Sequence, residues 1–311
     1  ALDSEHGEVM THGWQTGSGR PVLAAMAELR GLVGGFLVTF IEREGRCQGT
    51  DLAAVPALVE AAGDARLTIA GGVTSAAEIA ELDRLGADAQ VGMALYDGRL
   101  PLAEAFAAPL VSDRPDGLWP TLVVDPRGVA LGLVYSNLES LSAALAERRG
   151  VYLSRSRGLW RKGESSGQTQ RLLRVELDCD RDCLRFVVEQ QGAGFCHLGT
   201  PSCFGPERGG GLAGLERRLS ARLCGPPEPG SYTQRVLSEP GWLAAKLGEE
   251  AAELGAARGP LEAAEEAADL LYFGLLAALR EGARLADIEA VLDRRALRVS
   301  RRPGLPKEVR P

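Results

Sequence analysis

Two breaks rich in glycine and proline divide this chain of 311 residues into three segments with different residue patterns. The first break covers residues 112–117, and the second lies around Gly205-Pro206 and residues 209–211. Clusters of Gly and Pro interrupt helices and strands, so they mark loops between folded units. The chain is also too long for one small core. We therefore predict a multidomain protein, with a Pro- and Arg-rich disordered tail, and with boundaries at 1–112, 113–206, 210–300 and 301–311.

The first segment alternates short strand patterns with helical patterns. Strands are predicted at residues 35–40, 67–70 and 89–92, with helices at 51–62 and 76–85 between them. Repeated βα units form parallel sheets with right-handed crossovers. This segment is therefore an α/β unit, either open or barrel-like.

The middle segment is rich in strands, and the last segment is helical. A single helix, 138–148, interrupts the middle segment, which predicts a compact α+β unit. Glycine and proline at 225–230 and 259–260 separate the helices of an all-α segment. The strands predicted for the middle segment are 121–124, 130–135, 150–154, 172–177 and 184–189.

The charge and the apolar pattern exclude two classes of partner. The net charge is −7 and the pI is about 5.3, whereas nucleic-acid binders are usually basic. No stretch approaches the roughly 20 apolar residues of a membrane span. The acidic start, residues 1–5, lacks the apolar core of a signal peptide. Three of the six cysteines lie beside Asp or His, which predicts metal binding in a reducing cytoplasm.

The run Asp178–Asp182 alternates aspartate with other residues. If it continues the strand before it, Asp178, Asp180 and Asp182 share one face and Cys179 points to the other. Three carboxylates on one face repel one another unless a hard cation such as Mg²⁺ lies among them. A calcium-binding loop is the alternative, with Glu189 at its twelfth position. Cys183, however, stands where that loop needs glycine.

Cys196-His197 and Cys203 follow with the spacing of metal ligands on a loop. Together with Cys179 they offer three thiolates, which leaves a fourth position open to water, as in a catalytic zinc site. The alternative is that these cysteines are small buried apolar residues. Upstream, residues 154–167 combine basic side chains, hydroxyls and glycines, which suits phosphate oxygens; an exposed basic turn is the alternative.

Two consecutive helices in the last segment carry acidic faces. Glu249, Glu250 and Glu253 lie on the first helix, and Glu266 and Asp269 share a face of the second. Helices joined by a short connection pack antiparallel, so the two acidic faces can meet around a metal ion. A solvated acidic surface is the alternative.

The middle segment closely resembles the phosphoribosyl-AMP cyclohydrolase family over 117–204. The resemblance implies Mg²⁺ at Asp178, Asp180 and Asp182, Zn²⁺ at Cys179, Cys196 and Cys203, and a homodimer in which both subunits supply zinc ligands. His197 is a candidate for proton transfer or, alternatively, a structural neighbour of the zinc. The residues predicted to contact the substrate and its phosphate are Arg155, Arg157, Lys162, Glu164, Ser166 and Gly167. The matching motifs are 154–157, 159–167, 178–182, 196–197 and 202–204.

The last segment resembles phosphoribosyl-ATP pyrophosphatase over about 211–295, through the motifs 231–233, 246–253 and 266–272. Phe273 departs from the pattern, which usually has His after the Tyr. The resemblance implies release of pyrophosphate from phosphoribosyl-ATP, and the product, phosphoribosyl-AMP, is the substrate of the middle domain. It further implies Mg²⁺ on the triphosphate, held by Glu250, Glu253, Glu266 and Asp269, with Glu249 assisting.

The first segment resembles the second half of a (β/α)₈ barrel. The barrel is that of phosphoribosylformimino-AICAR-phosphate isomerase, an enzyme of the same pathway as the two hydrolases, histidine biosynthesis. The motifs are Leu2-Asp3, 12–14, Thr39, 44–45, 70–73 and 91–96. The resemblance implies Asp3 and Thr39 as the catalytic acid and its helper, with phosphate at Gly71, Gly72 and Gly92. The chain starts at what would be the fifth strand of this barrel, so we expect four βα units of an incomplete isomerase. Because it starts there without Met, we also expect a piece of a longer fusion.

A half barrel exposes two sheet edges, so it must pair with a first half, dimerise or pack on another domain. The leading interpretation of the whole chain is a cytoplasmic enzyme of histidine biosynthesis that performs two consecutive hydrolyses. One alternative is a general nucleotide pyrophosphohydrolase with a degenerate zinc domain. Another is a half barrel that acts only as a dimerisation scaffold.

Overall fold

The computed structural model describes residues 1–192, 194–205, 211–239 and 241–296. Residues 206–210 of the predicted joint and the predicted disordered tail 301–311 lie outside the described residues. The chain divides into two compact units, Ala1–Pro206 and Glu207–Pro311.

The first part of unit one is a half barrel of four βα units, as predicted. Four parallel strands lie side by side in the order β1-β4-β5-β6, and a hairpin, β2-β3, extends the sheet beyond β1. The strands are Leu2–Glu5 (β1), Glu8–Thr11 (β2), Thr16–Pro21 (β3), Gly35–Phe40 (β4), Arg66–Ala70 (β5) and Asp88–Ala89 (β6). The helices are Val22–Leu29 (α1), Val55–Ala62 (α2), Ala76–Arg84 (α3), Met93–Tyr96 (α4) and Leu102–Ala107 (α5).

Three features of this half barrel differ from the sequence prediction. The predicted strand 89–92 is only β6, because the backbone at Gly92 leaves the extended region with ψ −106° and begins α4. The predicted helix 51–62 begins at Val55, because Oδ1 of Asp51 accepts a hydrogen bond from the amide of Ala54 in a preceding turn. The hairpin β2-β3 was not predicted, since β3 is fully exposed and has no apolar alternation.

The strand β4 shows why this sheet forms. Phe36, Val38 and Phe40 are buried and pack with the helices, while Leu37 and Thr39 on the opposite face are only partly covered. Alternation of this kind is the period-two pattern of a strand with one buried face. The half-covered face is the one that points into a barrel.

The second part of unit one is a six-stranded sheet in the order β10-β9-β8-β7-β12-β11, in which only β7 and β12 pair in parallel. Its core joins Leu141 and Ala144 of the helix with Val123, Tyr152 and Phe186 of the sheet. The short strand β10 was not predicted, and it lies inside the basic segment. The elements are Trp119–Val124 (β7), Ala130–Ser136 (β8), Leu138–Glu147 (α6), Val151–Ser154 (β9), Gly158–Arg161 (β10), Gln170–Leu177 (β11) and Leu184–Gln190 (β12).

Helix α5 contributes to the cores of both parts of unit one. Ala105 is buried in the core of the half barrel, whereas Ala103 is buried in the core of the second sheet, with Phe106 and Leu110 packed against it. The two parts therefore share one element, and the predicted boundary at 112/113 stays a prediction.

Unit two is all-helical, as predicted, around a core that includes Leu219, Leu243 and Leu276. Its two longest helices follow one another and pack side by side. None of the helices described in the chain is both long and apolar enough for a membrane span. The helices are Gly211–Cys224 (α7), Tyr232–Ser238 (α8), Trp242–Ala256 (α9), Pro260–Arg280 (α10) and Leu285–Ala296 (α11).

Candidate active sites

The three aspartates of the middle segment come together in a turn. Strand β11 ends at Leu177, where the predicted strand 172–177 also ends, so the run 178–182 does not continue it and the alternation of faces considered for the run does not apply. Instead Oδ1 of Asp178 accepts hydrogen bonds of 3.1 Å from the amides of Asp182 and Cys183, and Arg181 takes φ 64°. These bonds fold the chain back into β12. One carboxylate oxygen each of Asp178, Asp180 and Asp182 then lies within 4.8 Å of the others.

The electrostatics of this turn favour a bound cation. Burial acts to raise the pKa of Asp178, but hydrogen bonds from Cys183 and Asp182 outweigh it and leave that pKa below its usual value. The pKa of Asp182 is raised by its hydrogen bond with Asp178 and by the charge of Asp180. A divalent cation between these carboxylates would relieve the repulsion that raises the pKa of Asp182.

Two of the three predicted zinc ligands lie on one loop. The thiol of Cys196 is buried and accepts a hydrogen bond of 3.5 Å from the amide of Leu198, which lowers the pKa of that thiol. Burial raises the pKa of Cys203, and a hydrogen bond with Cys196 raises it further. The exposed His197 has its Nδ1 3.9 Å from the sulfur of Cys196.

Cys179 does not join them within one chain. Its sulfur is exposed in the aspartate turn, 4.0 Å from Oδ1 of Asp180. Among the described residues, no group of three metal-binding side chains within 4.8 Å includes a cysteine. The resemblance predicts that the zinc ligands come from two subunits.

The predicted phosphate residues of the middle segment divide into an exposed set and a buried one. The guanidinium carbon of Arg155 lies 5.0 Å from the ring centre of Tyr135, and that of Arg157 lies 5.0 Å from the ring centre of Trp160. Both arginines are exposed and free to reach an anion. Glu164, Ser166 and Gly167 lie on the exposed turn after Gly163.

Lys162 is the buried member of that set. It is 6% exposed, and its Nζ lies 5.3 Å from the ring centre of Phe195, next to the cysteine loop. Burial lowers its pKa, while the nearby Cys203 and Cys196 act in the opposite direction. The structure thus places Lys162 beside the two cysteines as well as within the basic segment.

The acidic faces of α9 and α10 meet in unit two. Oxygens of Glu250, Glu266 and Asp269 lie within 4.8 Å of one another across the two helices, and those of Glu249, Glu250 and Glu253 do so along α9. Glu250 is 4% exposed. Burial raises the pKa of Glu266, and the charges of Glu253 and Glu250 raise it further.

A pocket of about 350 Å³ opens beside this cluster, and Lys246 and Phe273 help to line it. The Nζ of Lys246 lies 2.8 Å from Glu250 and 2.9 Å from Glu249. Phe273 is 4% exposed and packs edge-to-face on Tyr272 at 5.1 Å. The aromatic ring at this position therefore serves packing. The pocket is lined by Tyr232, Lys246, Glu250, Asp269, Tyr272 and Phe273.

Asp3 and Thr39, the predicted isomerase pair, are partners in register on the adjacent parallel strands β1 and β4. Both are partly buried on the face that points into a barrel. The indole Nε1 of Trp14 donates a hydrogen bond of 2.8 Å to Oδ2 of Asp3. The structure therefore brings the pair together on one face of the half barrel.

The predicted phosphate glycines of the half barrel line a cavity of about 30 Å³, room for one water. Gly71 has φ 92°, and a Cβ there would lie 2.3 Å from the carbonyl oxygen of Phe40. A Cβ on Gly72 would lie 2.5 Å from the carbonyl oxygen of Gly49. Backbone crowding thus already requires glycine at 71 and 72, whereas Gly92 has no such contact.

Sequence reasoning missed three contributors to these sites. Lys246 is one turn before Glu249 and Glu250, a spacing that could have indicated the ion pairs. Trp14 bonds to Asp3 across 11 positions, and Asp83 bonds to Arg181 across 98 positions. Contacts over such separations leave no local signal in the sequence.

The folds and the two carboxylate clusters define a chain of metal-dependent hydrolase domains fused to a half barrel. Three families match in this order: "Histidine biosynthesis protein" over residues 1–101, "Phosphoribosyl-AMP cyclohydrolase" over 132–205, and "Phosphoribosyl-ATP pyrophosphohydrolase" over 212–296. Enzymes with the two hydrolase domains use metal ions.

Curated histidine biosynthesis proteins match large parts of this chain. The histidine biosynthesis bifunctional protein HisIE of Deinococcus radiodurans is 39% identical over 199 residues, which are 58% of this chain and 89% of that protein. The chain belongs to this family of bifunctional histidine biosynthesis proteins. The histidine biosynthesis trifunctional protein of Neurospora crassa is 51% identical over 207 residues, 67% of this chain and 23% of that protein. The chain spans about a quarter of the length of the trifunctional relatives.

Proposed function

We propose that this chain catalyses two consecutive hydrolyses in histidine biosynthesis. The C-terminal domain releases pyrophosphate from phosphoribosyl-ATP, and the middle domain opens the adenine ring of the product, phosphoribosyl-AMP. One observation carries the proposal: each domain that matches a hydrolase family holds its own cluster of three carboxylates within 4.8 Å. Such clusters are typical of Mg²⁺ sites that bind phosphates.

In the C-terminal domain the predicted Mg²⁺ ligands are Glu250, Glu253, Glu266 and Asp269, with Glu249 assisting. When bound, Mg²⁺ neutralises phosphate charge and makes a water more acidic. The chain contributes the pocket, which Tyr232, Tyr272 and Phe273 line together with Glu250 and Asp269. Lys246 forms an ion pair with the buried Glu250, with 2.8 Å between Nζ and Oε1.

In the middle domain the predicted ligands are Asp178, Asp180 and Asp182 for Mg²⁺, and Cys179, Cys196 and Cys203 for Zn²⁺. When bound, Zn²⁺ acts as a Lewis acid that brings the pKa of a water toward neutrality. The donor set fits this ion, because the buried Cys196 thiol has a lowered pKa and lies next to Cys203. A homodimer would let Cys179 of one subunit complete the site of the other.

The remaining groups of the middle domain bind substrate and move protons. Attack of water on the electron-poor ring carbon breaks the ring C–N bond, and the departing nitrogen takes up a proton. His197 is next to Cys196 and is the proposed proton carrier. The exposed Arg155 and Arg157 suit the phosphate of the substrate, and Lys162, Glu164, Ser166 and Gly167 complete that region.

The half barrel is proposed to be part of an incomplete isomerase. We propose Asp3 as its catalytic acid, Thr39 as the helper and Gly71, Gly72 and Gly92 as the phosphate loops. These residues need a first half barrel from another segment or another chain. We propose the cytoplasm as the compartment.

The test is to incubate the purified chain with phosphoribosyl-ATP, Mg²⁺ and Zn²⁺. Pyrophosphate release and the absorbance change of ring opening are followed together. Both signals are expected. Pyrophosphate release without ring opening would contradict the zinc assignment, and the absence of both would overturn the proposed function.

A further inference from the structure

Arg181 lies inside the aspartate turn, between Asp180 and Asp182. An arginine next to two carboxylates is expected to pair with them and neutralise them. Such pairing would compete with a divalent cation for the same oxygens. The position of the Arg181 guanidinium therefore directly affects metal binding at the turn.

The guanidinium of Arg181 bonds to the half barrel and to the main chain of Asp178, and not to the three carboxylates of the turn. Its Nη2 and Nε donate to Oδ1 of Asp83 at 2.7 Å and 3.0 Å, and its Nη1 donates to the carbonyl oxygen of Asp178 at 2.8 Å. Asp83 lies near the end of α3, 98 residues earlier in the chain. A two-pronged Arg–carboxylate pair of this kind fixes orientation as well as charge.

The main chain of Arg181 is also held by the first segment of the chain. Its carbonyl oxygen accepts a hydrogen bond of 2.9 Å from the amide of Val111, just after α5. Helix α5 in turn packs into both cores of unit one through Ala103 and Ala105. Arg181 is thus fixed at both its main chain and its side chain.

The three carboxylates are left without a basic partner. In the part of the chain that the structure describes, Asp178, Asp180 and Asp182 form no ion pair with a lysine or arginine, and their oxygens converge within 4.8 Å. The guanidinium that is nearest in sequence is occupied by Asp83.

We infer that Asp83 of the half barrel is a positioning residue for the cyclohydrolase metal site: it keeps Arg181 off the aspartate turn so that a divalent cation can bind there. The inference rests on the proposed function, because that function assigns a metal to the turn. It gives the half barrel a role in ring opening that does not require isomerase activity.

The test measures binding of Mn²⁺ alone by electron paramagnetic resonance. The full chain carries Glu250→Gln and Asp269→Asn, which leave neither group of three carboxylates in the C-terminal domain complete. In this background Asp83→Asn is expected to weaken Mn²⁺ binding about tenfold, as for other groups that orient metal ligands. Adding Arg181→Ala should restore most of the lost Mn²⁺ affinity, because no guanidinium remains that could pair with the carboxylates.

Glu81→Ala is the matched control. Glu81 forms an exposed ion pair with Arg84 on the same helix, so its loss should leave Mn²⁺ affinity unchanged. Melting curves of all variants show whether each one is folded at the temperature of the measurement. Ring opening by Asp83→Asn should need about tenfold more Mg²⁺ for half-maximal rate, with the same maximal rate.

The outcomes separate the two claims. Undiminished Mn²⁺ affinity in Asp83→Asn, or a double variant as weak as the single one, overturns the inference while ring opening by the parent chain stands. If the background chain binds no Mn²⁺ and the parent opens no ring, the metal assignment in the proposed function fails, and the role of Asp83 fails with it.

Discussion

The ammonium group of Lys246 lies 2.8 Å from Oε1 of Glu250, one helical turn along α9. Hydrogen bonds with Glu250 and Glu249 raise the pKa of Lys246 above its usual range, so the lysine is charged at neutral pH. Lys246 therefore supplies part of the positive charge that a metal ion would bring to the acidic cluster. This relationship gives the first prediction.

Lys246→Met should destabilise unit two by about 1 kcal/mol without divalent metal, and by less with saturating Mg²⁺. The methionine side chain keeps the apolar packing of Lys246 over Phe273 but lacks its positive charge. Bound Mg²⁺ supplies a positive charge to the acidic cluster, so the loss is smaller when Mg²⁺ is present. Amide hydrogen exchange in α10 measures the local stability. Arg280→Met, which removes an exposed ion pair with Glu281, is the control. An equal loss with and without Mg²⁺ would contradict the assignment.

The two proposed hydrolytic sites should be separable by single substitutions. Cys196→Ser should lower ring opening at least about 100-fold and leave pyrophosphate release unchanged, because it removes a proposed zinc ligand. Glu250→Gln should do the reverse when each reaction is assayed with its own substrate. Loss of both activities in either variant would show that the sites are not independent.

Phe273→His introduces the residue that the resemblance implies after Tyr272, and it should cost about 2 kcal/mol of stability, because a polar ring replaces an apolar one that is 4% exposed and packed on Tyr272. Burial and the nearby Lys246, 5.5 Å from the ring centre, both disfavour a charged imidazole. The loss should therefore grow as the pH falls below about 6.5. Phe273→Leu, followed by the same denaturation series, should show no such pH dependence.

Glu78 should make the stability of unit one sensitive to acid. Burial acts to raise its pKa, but hydrogen bonds from Thr50, Thr74 and Ser75 outweigh it and hold the pKa below the usual value. A depressed carboxyl pKa gives stability that is present above the ordinary value of 4.5 and is lost as the pH falls through the folded-state pKa. Glu78→Gln should cost about 2 kcal/mol at pH 7 and flatten this acid dependence. A wild-type slope in the variant's pH series would contradict this role.

Gly71→Ala should destabilise the half barrel by about 2 kcal/mol or more, because φ is 92° and the added Cβ would meet the carbonyl of Phe40. Gly274→Ala is the opposite case: it lies within α10 with nothing inside 4 Å of the added Cβ, and should gain about 0.5–1 kcal/mol. Urea unfolding of each unit measures both. A tolerated alanine at 71 would show that phosphate binding, and not backbone crowding, is the reason for this glycine.

The sequence predicted what depends on nearby residues. The strand β4, the pairing of α9 with α10 and the aspartate run Asp178–Asp182 all carry their signal in short spacings. The aspartates meet by a turn and not along a strand, because the hydrogen bonds to Oδ1 of Asp178 are a local detail that alternation does not encode.

Other features depend on residues that are distant in the sequence. Nothing near Arg181 indicates that its partner is Asp83, and nothing near Asp3 indicates Trp14. Strand β3 is fully exposed and has no apolar alternation, so no sequence pattern indicates the hairpin β2-β3. Such contacts become visible only when the fold places distant elements side by side.

Helix α5 contributes to the cores of two segments, so the two segments are expected to evolve together. Its Ala103 and Phe106 cover the core of the second sheet, although the cyclohydrolase match begins only at residue 132. A descendant that lost the half barrel together with α5 would expose this apolar surface and would need replacement residues to cover it. Selection on the proposed ring opening is therefore expected to preserve α5 even in lineages where the half barrel has no activity of its own.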